Sequence, residues 1–462
     1  MNRLPTEIVD EIASHLLSAL EYGLTINMTW LTWLEKPNLA PYSTINRTWQ
    51  EVIERKTFQY IHFNANTLPE LQFILSGAKG DRRIRSIRSL RFSIIHSQNT
   101  PLTQHIEPEK QQRLANESFS ENMDMLFGLL KGWEERLDRS GSLAGNWYKL
   151  ILSLNTDCQQ IAVNPPLPLQ HLPRKPVREW AGPVVTRVPL VDVQYVGKEM
   201  LPDLCLVSSV ELQEGHGIHP ESVMQILSRM KHLVEFEGSI FSENRNLSLT
   251  HEYREVLAQC LHLLPRSVNV FCPDFQAIDY WRQTLYPVSL DPLRDHLCIG
   301  IRALSGQLRK LKLEGLRISP AIFAGDCNGS YPDWSRLENV DIRYPGLSST
   351  GQWFFEEDPD FCLPFNLKLL NELYAEAGKA KQHMPILKSL DLTLDVQFNR
   401  NFHSHKFTYY FEKERNRSSI AVHSSTAFGF KFSDGVAEAW GFSKEAVESY
   451  KEDYTTVTKV TF

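Results

Sequence analysis

The sequence predicts an α/β protein in three parts: a helical lobe over residues 1–60, a long α/β domain over 61–404, and a β-rich capping region over 405–462. Three patterns predict this arrangement. Apolar residues near the start recur at helical spacing, which is typical of amphipathic helices. Short runs with strand-like apolar spacing then alternate with helical segments. β-branched and aromatic residues are frequent in the final part, as they are in strands.

The composition is that of an ordinary globular protein. Apolar residues make up 42% of the 462 residues, which is enough to form a large core. The formal net charge is −6, which argues against a general nucleic-acid-binding protein because such proteins usually carry a basic excess. No run of about 18 uncharged apolar residues occurs, which predicts that no segment spans a membrane.

The cysteines and the first residues bear on the cellular compartment. The chain has seven cysteines, an odd number without C-x-x-C spacing, which is typical of reduced thiols rather than of a disulfide framework or a zinc site. Glu7, Asp10 and His15 interrupt the first apolar stretch, unlike the layout of a signal peptide. We therefore expect a cytoplasmic or nuclear protein.

Two amphipathic helices are predicted in the first part. In the first helix, the apolar residues that recur every four positions and share one face are Leu4, Ile8, Ile12 and Leu16. In the second, the apolar residues are Leu39, Ala40, Tyr42, Ile45, Trp49, Val52 and Ile53. An apolar segment, 22–34, lies between the two helices.

These residues resemble an F-box, in the form found in many fungal F-box proteins. In that family the short helical motif packs on the adaptor Skp1 and so docks the protein to a cullin-type ubiquitin ligase. The resemblance implies that the Skp1-binding residues are Leu4, Pro5, Ile8, Ile12, Leu16, Leu39, Ile45 and Trp49. The 22–34 segment departs from the family pattern, since an F-box usually joins its first two helices by a shorter connection. The alternative is a small helical lobe that packs on its own protein.

The second part alternates short apolar runs with helical segments. Runs of the form L-x-x-L-x-L include 308–313, 337–342 and 387–392. Helices are predicted at 121–137, 220–230, 251–264, 293–304 and 367–380. The pattern resembles leucine-rich repeats, which implies an irregular solenoid whose neighbouring repeats stack and whose strands line one face. The spacing between runs is irregular, and the alternative is a non-repetitive α/β domain.

In such a solenoid, the side chains between the buried strand positions face a ligand. The predicted target-binding residues are therefore Glu211, Glu235, Glu237, Lys310, Lys312, Asp341 and Arg343, with Asp391 and Thr393 in equivalent positions. The alternative is a solvated strand face, because charged residues at alternate positions are common in half-buried sheets.

The third part is predicted to be a sheet that closes the repeat array, since exposed repeat ends need a cap. The element Val436-x-x-x-Trp440 resembles a C-terminal region of fungal F-box proteins, and a short helix is expected at Ser443–Tyr450. The proline-rich segment 160–190 is expected to be a surface loop or a boundary between two halves.

No enzyme motif is present in the sequence. The glycine-rich phosphate-binding patterns, H-E-x-x-H and G-x-S-x-G do not occur. His403 and His405 share a strand face but lack a carboxylate or cysteine at a matching spacing, so we predict no metal site, cofactor or catalytic residue. The basic run Arg82–Arg91 contains no aromatic residue for base stacking, which favours a basic turn over nucleic-acid binding.

The sequence thus predicts a non-catalytic substrate-recognition subunit of an SCF-type ubiquitin ligase. Its expected partners are Skp1, through it a cullin ligase, and an unknown target protein, with neither a membrane nor a nucleic acid. One alternative is a repeat scaffold that binds a partner without any ligase. Another is a hydrolase whose site is assembled from residues that are distant in sequence.

Overall fold

The computed structural model describes residues 5–21, 45–77, 79–95, 108–139, 149–157, 192–213, 217–241, 247–275, 295–326, 328–355, 365–398, 401–425, 430–452 and 455–462. Over these ranges the protein is a mixed α/β structure with ten α-helices and a single thirteen-stranded sheet. Three predicted features, Leu4, Leu39 and the proline-rich segment 160–190, lie outside the described residues, as does the 22–34 segment. Within the described ranges, no helix combines the length and apolar character needed to cross a lipid bilayer.

The helices are α1 (Thr6–Glu21), α2 (Arg47–Thr57), α3 (Leu68–Ile74), α4 (Gly80–Ser86), α5 (Pro108–Arg139), α6 (Pro220–Ser228), α7 (Leu247–Cys260), α8 (His296–Ser305), α9 (Leu367–Lys381) and α10 (Asp434–Trp440). The strands are β1 (Tyr60–Asn64), β2 (Ser89–Ile95), β3 (Leu150–Asp157), β4 (Val207–Gln213), β5 (Glu235–Ser239), β6 (Val270–Asp274), β7 (Lys310–Glu314), β8 (Asn339–Tyr344), β9 (Ser389–Phe398), β10 (Asn401–Glu412), β11 (Arg417–Ser424), β12 (Glu448–Glu452) and β13 (Thr455–Thr461).

Strand pairing in the sheet changes once, from parallel to antiparallel. Strands β1 to β9 are parallel, and each one pairs with the next along the chain. From β9 onward the pairing is antiparallel, in the order β9-β10-β11-β13-β12. Consecutive helices also contact one another, α6 with α7 and α7 with α8, and α9 contacts α10. The predicted boundary between residues 404 and 405 falls within β10.

Alternation of side chains along each strand separates a buried apolar face from a polar one. In β8, Val340 and Ile342 are buried at 2% and 0% exposure, whereas Arg343 is exposed on the opposite face. The buried residues of the sheet and its helices form one contiguous apolar cluster from Phe63 to Val460 among the described residues.

The first leucine of several predicted runs lies in a turn and not in the strand. The amide N–H groups of Leu308, Leu337 and Leu387 each donate to the carbonyl oxygen three residues earlier, at 3.1, 3.2 and 3.2 Å. The same turn precedes β5 at Leu233 and β6 at Val268. Each strand therefore begins about two residues later than its run predicts, since the first apolar residue anchors the turn to the core.

One predicted element is wrong, and one strand was not predicted. The expected helix at Ser443–Tyr450 is instead a short 3-10 turn at Lys444–Ala446 followed by strand β12. Pairing of β12 with β13 overrides the local helical preference of this segment. Strand β1, which was not predicted, pairs with β2 at one edge of the sheet, and α5 begins at Pro108, well before the predicted residue 121.

Candidate functional site

The helical lobe has an apolar core of its own. Val9 and Ala13 on α1 pack with Trp49, Val52 and Ile53 on α2, and this cluster is separate from the main apolar cluster of the sheet. The side chain of Asn46 caps α2 by accepting a hydrogen bond from the amide of Trp49 at 3.1 Å. Trp49, predicted to bind Skp1, is only 9% exposed and holds the two helices together.

Three large apolar side chains of the lobe are exposed, and we call them the isoleucine stripe: Ile8, Ile12 and Ile45. Their side chains are 41%, 36% and 55% exposed. Ile8 and Ile12 are one helical turn apart on α1, and Ile45 lies just before the cap of α2. Pro5, at the start of α1, is exposed as well. The structure thus brings three predicted Skp1-binding isoleucines to the surface of one small lobe.

Charged residues fix α1 against α2. Asp10 on α1 pairs with Arg55 at 2.7 Å and with Lys56 at 3.4 Å, and Lys56 also donates to Ser14 at 3.0 Å. Partial burial opposes ionisation of Asp10, but the hydrogen bond and charge of Arg55, together with Lys56, outweigh it and hold the pKa of this carboxyl below its usual value. These contacts preserve the orientation of α1 at neutral pH.

Part of the basic run ties the lobe to the sheet domain. Arg82 pairs with Glu51 at 3.1 Å and with Glu54 at 3.2 Å, and Arg83 pairs with Glu54 at 3.3 Å. The Arg83 guanidinium also lies 5.1 Å from the ring centroid of Phe58. Arg82 and Arg83 therefore serve as contacts between α4 and α2.

The predicted target-binding residues come together on the polar face of the sheet. They alternate with buried residues along four strands, and register places Glu211 of β4 beside Glu237 of β5 and Lys312 of β7 beside Asp341 of β8. Asp341 in turn lies beside Asp391 of β9. Burial, with a smaller contribution from the Asp391 carboxylate, raises the pKa of Asp341.

A cavity of about 380 Å³ opens on this face across β4 to β7. We call it the sheet cavity; its lining residues are Glu211, Leu212, Gln213, Glu237, Gly238, Ser239, Cys272, Pro273, Asp274, Lys312 and Glu314. Three of them, Glu211, Glu237 and Lys312, were predicted from the sequence. Cys272 and Asp274 were not, although they follow the same alternation within β6.

Charge is distributed unevenly over the polar face. The acidic residues of β4 to β6 are Glu211, Glu235, Glu237 and Asp274, and these three strands contain no basic residue. On β7 to β10, by contrast, opposite charges pair directly. The pairs there are Lys312–Glu314 at 3.4 Å, Arg343–Glu314 at 3.9 Å and Lys406–Asp391 at 3.2 Å.

Gly238 shapes the wall of the sheet cavity, and its replacement by alanine is expected to destabilise the protein by about 2 kcal/mol. Its φ is +136°, and an added Cβ would lie 2.4 Å from the carbonyl oxygen of Leu212. Urea denaturation measures the change. Gly128→Ala is the control, because this exposed position in α5 has no atom within 4 Å of an added Cβ. It is expected to stabilise the helix by up to about 1 kcal/mol. Equal effects of the two substitutions would contradict the prediction.

Comparisons of this chain with protein-family models, with curated protein sequences and with solved structures find no match. In the described part of the chain, no group of three or more histidine, cysteine, aspartate or glutamate residues is arranged to hold a metal ion. Two surfaces of the described structure are candidates for function: the exposed isoleucine stripe of the lobe and the polar face of the sheet.

Proposed function

We propose that this protein is a substrate-recognition subunit of an SCF-type ubiquitin ligase. Its helical lobe would dock on Skp1, and through it on a cullin, while the polar face of the sheet would bind a target protein. The observation that carries the proposal is the apolar stripe of Ile8, Ile12 and Ile45, which stays exposed on a lobe that already has its own core.

Ile8 and Ile12 support a partner because they are exposed one helical turn apart on α1, and large apolar side chains that are exposed together usually mark an interaction surface. The lobe cannot hide them internally, since Val9 and Ala13 already occupy the face of α1 that packs on α2. The spacing of the three isoleucines fits the F-box resemblance, in which the same positions contact the adaptor. Skp1 is therefore the partner that we propose.

The sheet domain supports the second half of the proposal. We interpret it as an irregular leucine-rich-repeat-like solenoid, because parallel strands follow one another in sequence order and the same turn recurs before β5 to β9. The antiparallel strands β10 to β13 would cap it. A solenoid of this kind offers an extended strand-lined surface to a partner, and the chemistry of ubiquitin transfer would take place on other subunits.

The double variant Ile8→Asp, Ile12→Asp tests the proposal. We expect it to weaken binding of purified Skp1 by about 100-fold or more, because two carboxylates would be buried against an apolar partner surface. The fold should be retained, since both side chains are exposed and neither belongs to the buried cluster of the lobe. Isothermal titration calorimetry measures the affinity, and circular dichroism checks the fold.

The matched control is Thr6→Asp, Gln72→Asp, which adds two carboxylates at exposed positions outside the stripe. This variant should bind Skp1 within about twofold of the wild-type affinity. Wild-type protein that does not bind Skp1, or binding that survives both aspartates in the stripe, would refute the ligase proposal and leave the ligase-independent scaffold as the better interpretation.

A further inference from the structure

We propose that the sheet cavity binds an arginine or lysine side chain of a basic segment in the target protein. The inference deepens the proposed function and rests on it for the identity of the surface that meets the target. Four observations carry it: opposed like charges, unpaired carboxylates, an unsatisfied buried acceptor beside the cavity, and the size of the cavity.

The first observation is that two carboxylates lie directly opposite one another. Glu211 and Glu237 are register partners on adjacent parallel strands, whose backbones are about 4.8 Å apart. Like charges in this position destabilise a sheet. No basic residue of β4 to β6 relieves the repulsion, because these strands contain none. A cation between the two side chains would convert the repulsion into attraction.

The second observation concerns the partners of these carboxylates. Glu211 accepts a hydrogen bond from the hydroxyl of Ser153 at 2.8 Å. Glu235 and Glu237 form no ion pair and no side-chain hydrogen bond with another residue in the described ranges. On β7 to β10, Glu314 and Asp391 are paired with lysine or arginine. Among the described residues, carboxylates without an ion-pair partner are therefore concentrated over β4 and β5.

The third observation is a buried acceptor next to the cavity. Asn155 of β3 is the register partner of Gln213, a lining residue, and is only 7% exposed. Its Oδ1 atom accepts no hydrogen bond from any described residue. Because a buried acceptor without a donor is unfavourable, a ligand that brings several N–H groups would stabilise this corner of the sheet.

The fourth observation is the size and floor of the cavity. A volume of about 380 Å³ lies at the lower end of the range for small-ligand sites and accommodates one long side chain. Cys272 lines it, and burial raises the pKa of this thiol to about 11, so the floor stays neutral. Arginine has five N–H donors in a planar fork, which suits two neighbouring carboxylates. Lys312, which also lines the cavity, disfavours a second cation.

Fluorescence anisotropy of a fluorescein-labelled hexa-arginine peptide, titrated with the full chain, tests the proposal. We expect Glu211→Gln, Glu237→Gln to weaken binding by about tenfold or more, because both charges that face the bound side chain are removed. We expect Lys312→Gln to strengthen binding by about threefold, since it removes a repelling charge. Raising the salt concentration should weaken the wild-type complex more than that of the double glutamine variant.

The charge-matched control is Glu70→Gln, Glu448→Gln, which removes two exposed carboxylates outside the sheet cavity. Equal losses in this control and in the cavity variant would mean non-specific attraction and would overturn the proposal. Displacement of the peptide by millimolar calcium or magnesium, with the ion bound directly to Glu211 and Glu237, would overturn it in favour of a metal site.

The outcome of the peptide-binding test does not depend on Skp1 binding. The variant Ile8→Asp, Ile12→Asp should bind the peptide with wild-type affinity, because the isoleucine stripe and the sheet cavity share no residue. If Skp1 binding fails while the peptide still requires Glu211 and Glu237, the ligase proposal falls and the basic-ligand site stands. If Skp1 binding requires Ile8 and Ile12 but peptide binding does not require Glu211 and Glu237, only the proposed basic-ligand site is refuted.

Discussion

Replacing Asp295 with alanine is expected to lower the free energy of unfolding by about 3 to 5 kcal/mol. Asp295 and Arg254 are 4% and 3% exposed, and the Arg254 guanidinium lies 2.8 Å from the Asp295 carboxylate. Removing one member of a buried ion pair leaves the other charge without compensation in a poorly solvated site. The loss is large because the positive charge of Arg254 persists in the variant.

The Asp295 carboxylate also joins separate elements of the structure. It caps α8 by accepting from the amide of Cys298 at 3.2 Å, and it accepts from the hydroxyl of Ser319 at 2.9 Å and from that of Ser349. Arg254 in α7 also donates to the carbonyl of Arg317 at 3.1 Å. One side chain thus connects α8 to the segments that follow β7 and β8.

Urea denaturation at pH 7 measures the effect. The informative comparison is the double variant Arg254→Met, Asp295→Leu, which removes both charges and should be less destabilised than Asp295→Ala alone. A loss of under about 1 kcal/mol for Asp295→Ala, or a double variant that is markedly worse than the single one, would contradict the prediction.

The ion pair also contributes to the pH dependence of stability. Burial raises the pKa of Asp295, but the charge of Arg254 and the hydrogen bonds from Cys298 and Ser349 outweigh burial, so the pKa lies below the usual value. A carboxyl with a lowered pKa in the folded state stabilises the fold above the unfolded pKa, near 4. This contribution is lost as the pH falls below that value.

Acidification from pH 6.5 to pH 4 is expected to cost about 3 kcal/mol of stability through His405 alone. This side chain in β10 has no exposed surface, and burial lowers its pKa to about 3. The unfolded chain takes up a proton near pH 6.5, whereas the folded imidazole stays neutral. Stability therefore falls as the pH drops from about 6.5 toward 3, by about 1.4 kcal/mol per pH unit.

The surroundings of His405 explain why it stays neutral. Its ring centroid lies 4.6 Å from that of Phe365, 5.2 Å from that of Phe430 and 6.1 Å from that of Tyr374. Neither ring nitrogen has a hydrogen-bond partner among the described residues. An aromatic enclosure of this kind gives an imidazolium ion no compensating charge or acceptor.

The variant His405→Leu tests this account, since leucine has a similar volume and no titratable group. We expect stability at pH 7 to be equal to or above that of the wild type, because two unsatisfied buried nitrogens are removed. We also expect the pH dependence between 6.5 and 4 to become shallower by about 1 kcal/mol per unit or more. Urea denaturation at pH 7.0, about 5.5 and about 4.5 measures both effects.

The control for His405→Leu is His423→Leu, an exposed histidine on the neighbouring strand β11. This variant should keep the wild-type pH dependence, because the side chain of His423 is exposed and lies outside the aromatic enclosure of His405. Retention of the wild-type slope by His405→Leu, or its loss in His423→Leu, would count against the role assigned to His405.

The two surfaces differ in how far the sequence anticipates them. Helical spacing alone places Ile8 and Ile12 on one face of α1, and the structure exposes both. The sequence does not reveal that Trp49 turns inward, since an apolar residue of an amphipathic helix serves a core and a partner surface equally well. Only the packing of α1 on α2 assigns Val9 and Trp49 to the interior.

For the sheet face, alternation predicts which residues are polar and which are buried. It places Glu211, Glu237 and Lys312 on one face before any pairing is known. The expected helix at Ser443–Tyr450 failed for the opposite reason, because its local pattern was outweighed by pairing with a strand that follows it. The helix propensity of a short segment is weak compared with a complete set of strand hydrogen bonds.

By itself, the sequence determines the α/β character, the apolar residues that form the core and the faces on which charges lie, because each depends on periodicity within a short segment. Tertiary structure alone decides that Glu211 opposes Glu237, that Cys272 and Asp274 complete the sheet cavity, and that Arg254 meets Asp295. These contacts depend on strand register and on helix packing between segments that are distant in the chain, and no local pattern encodes them.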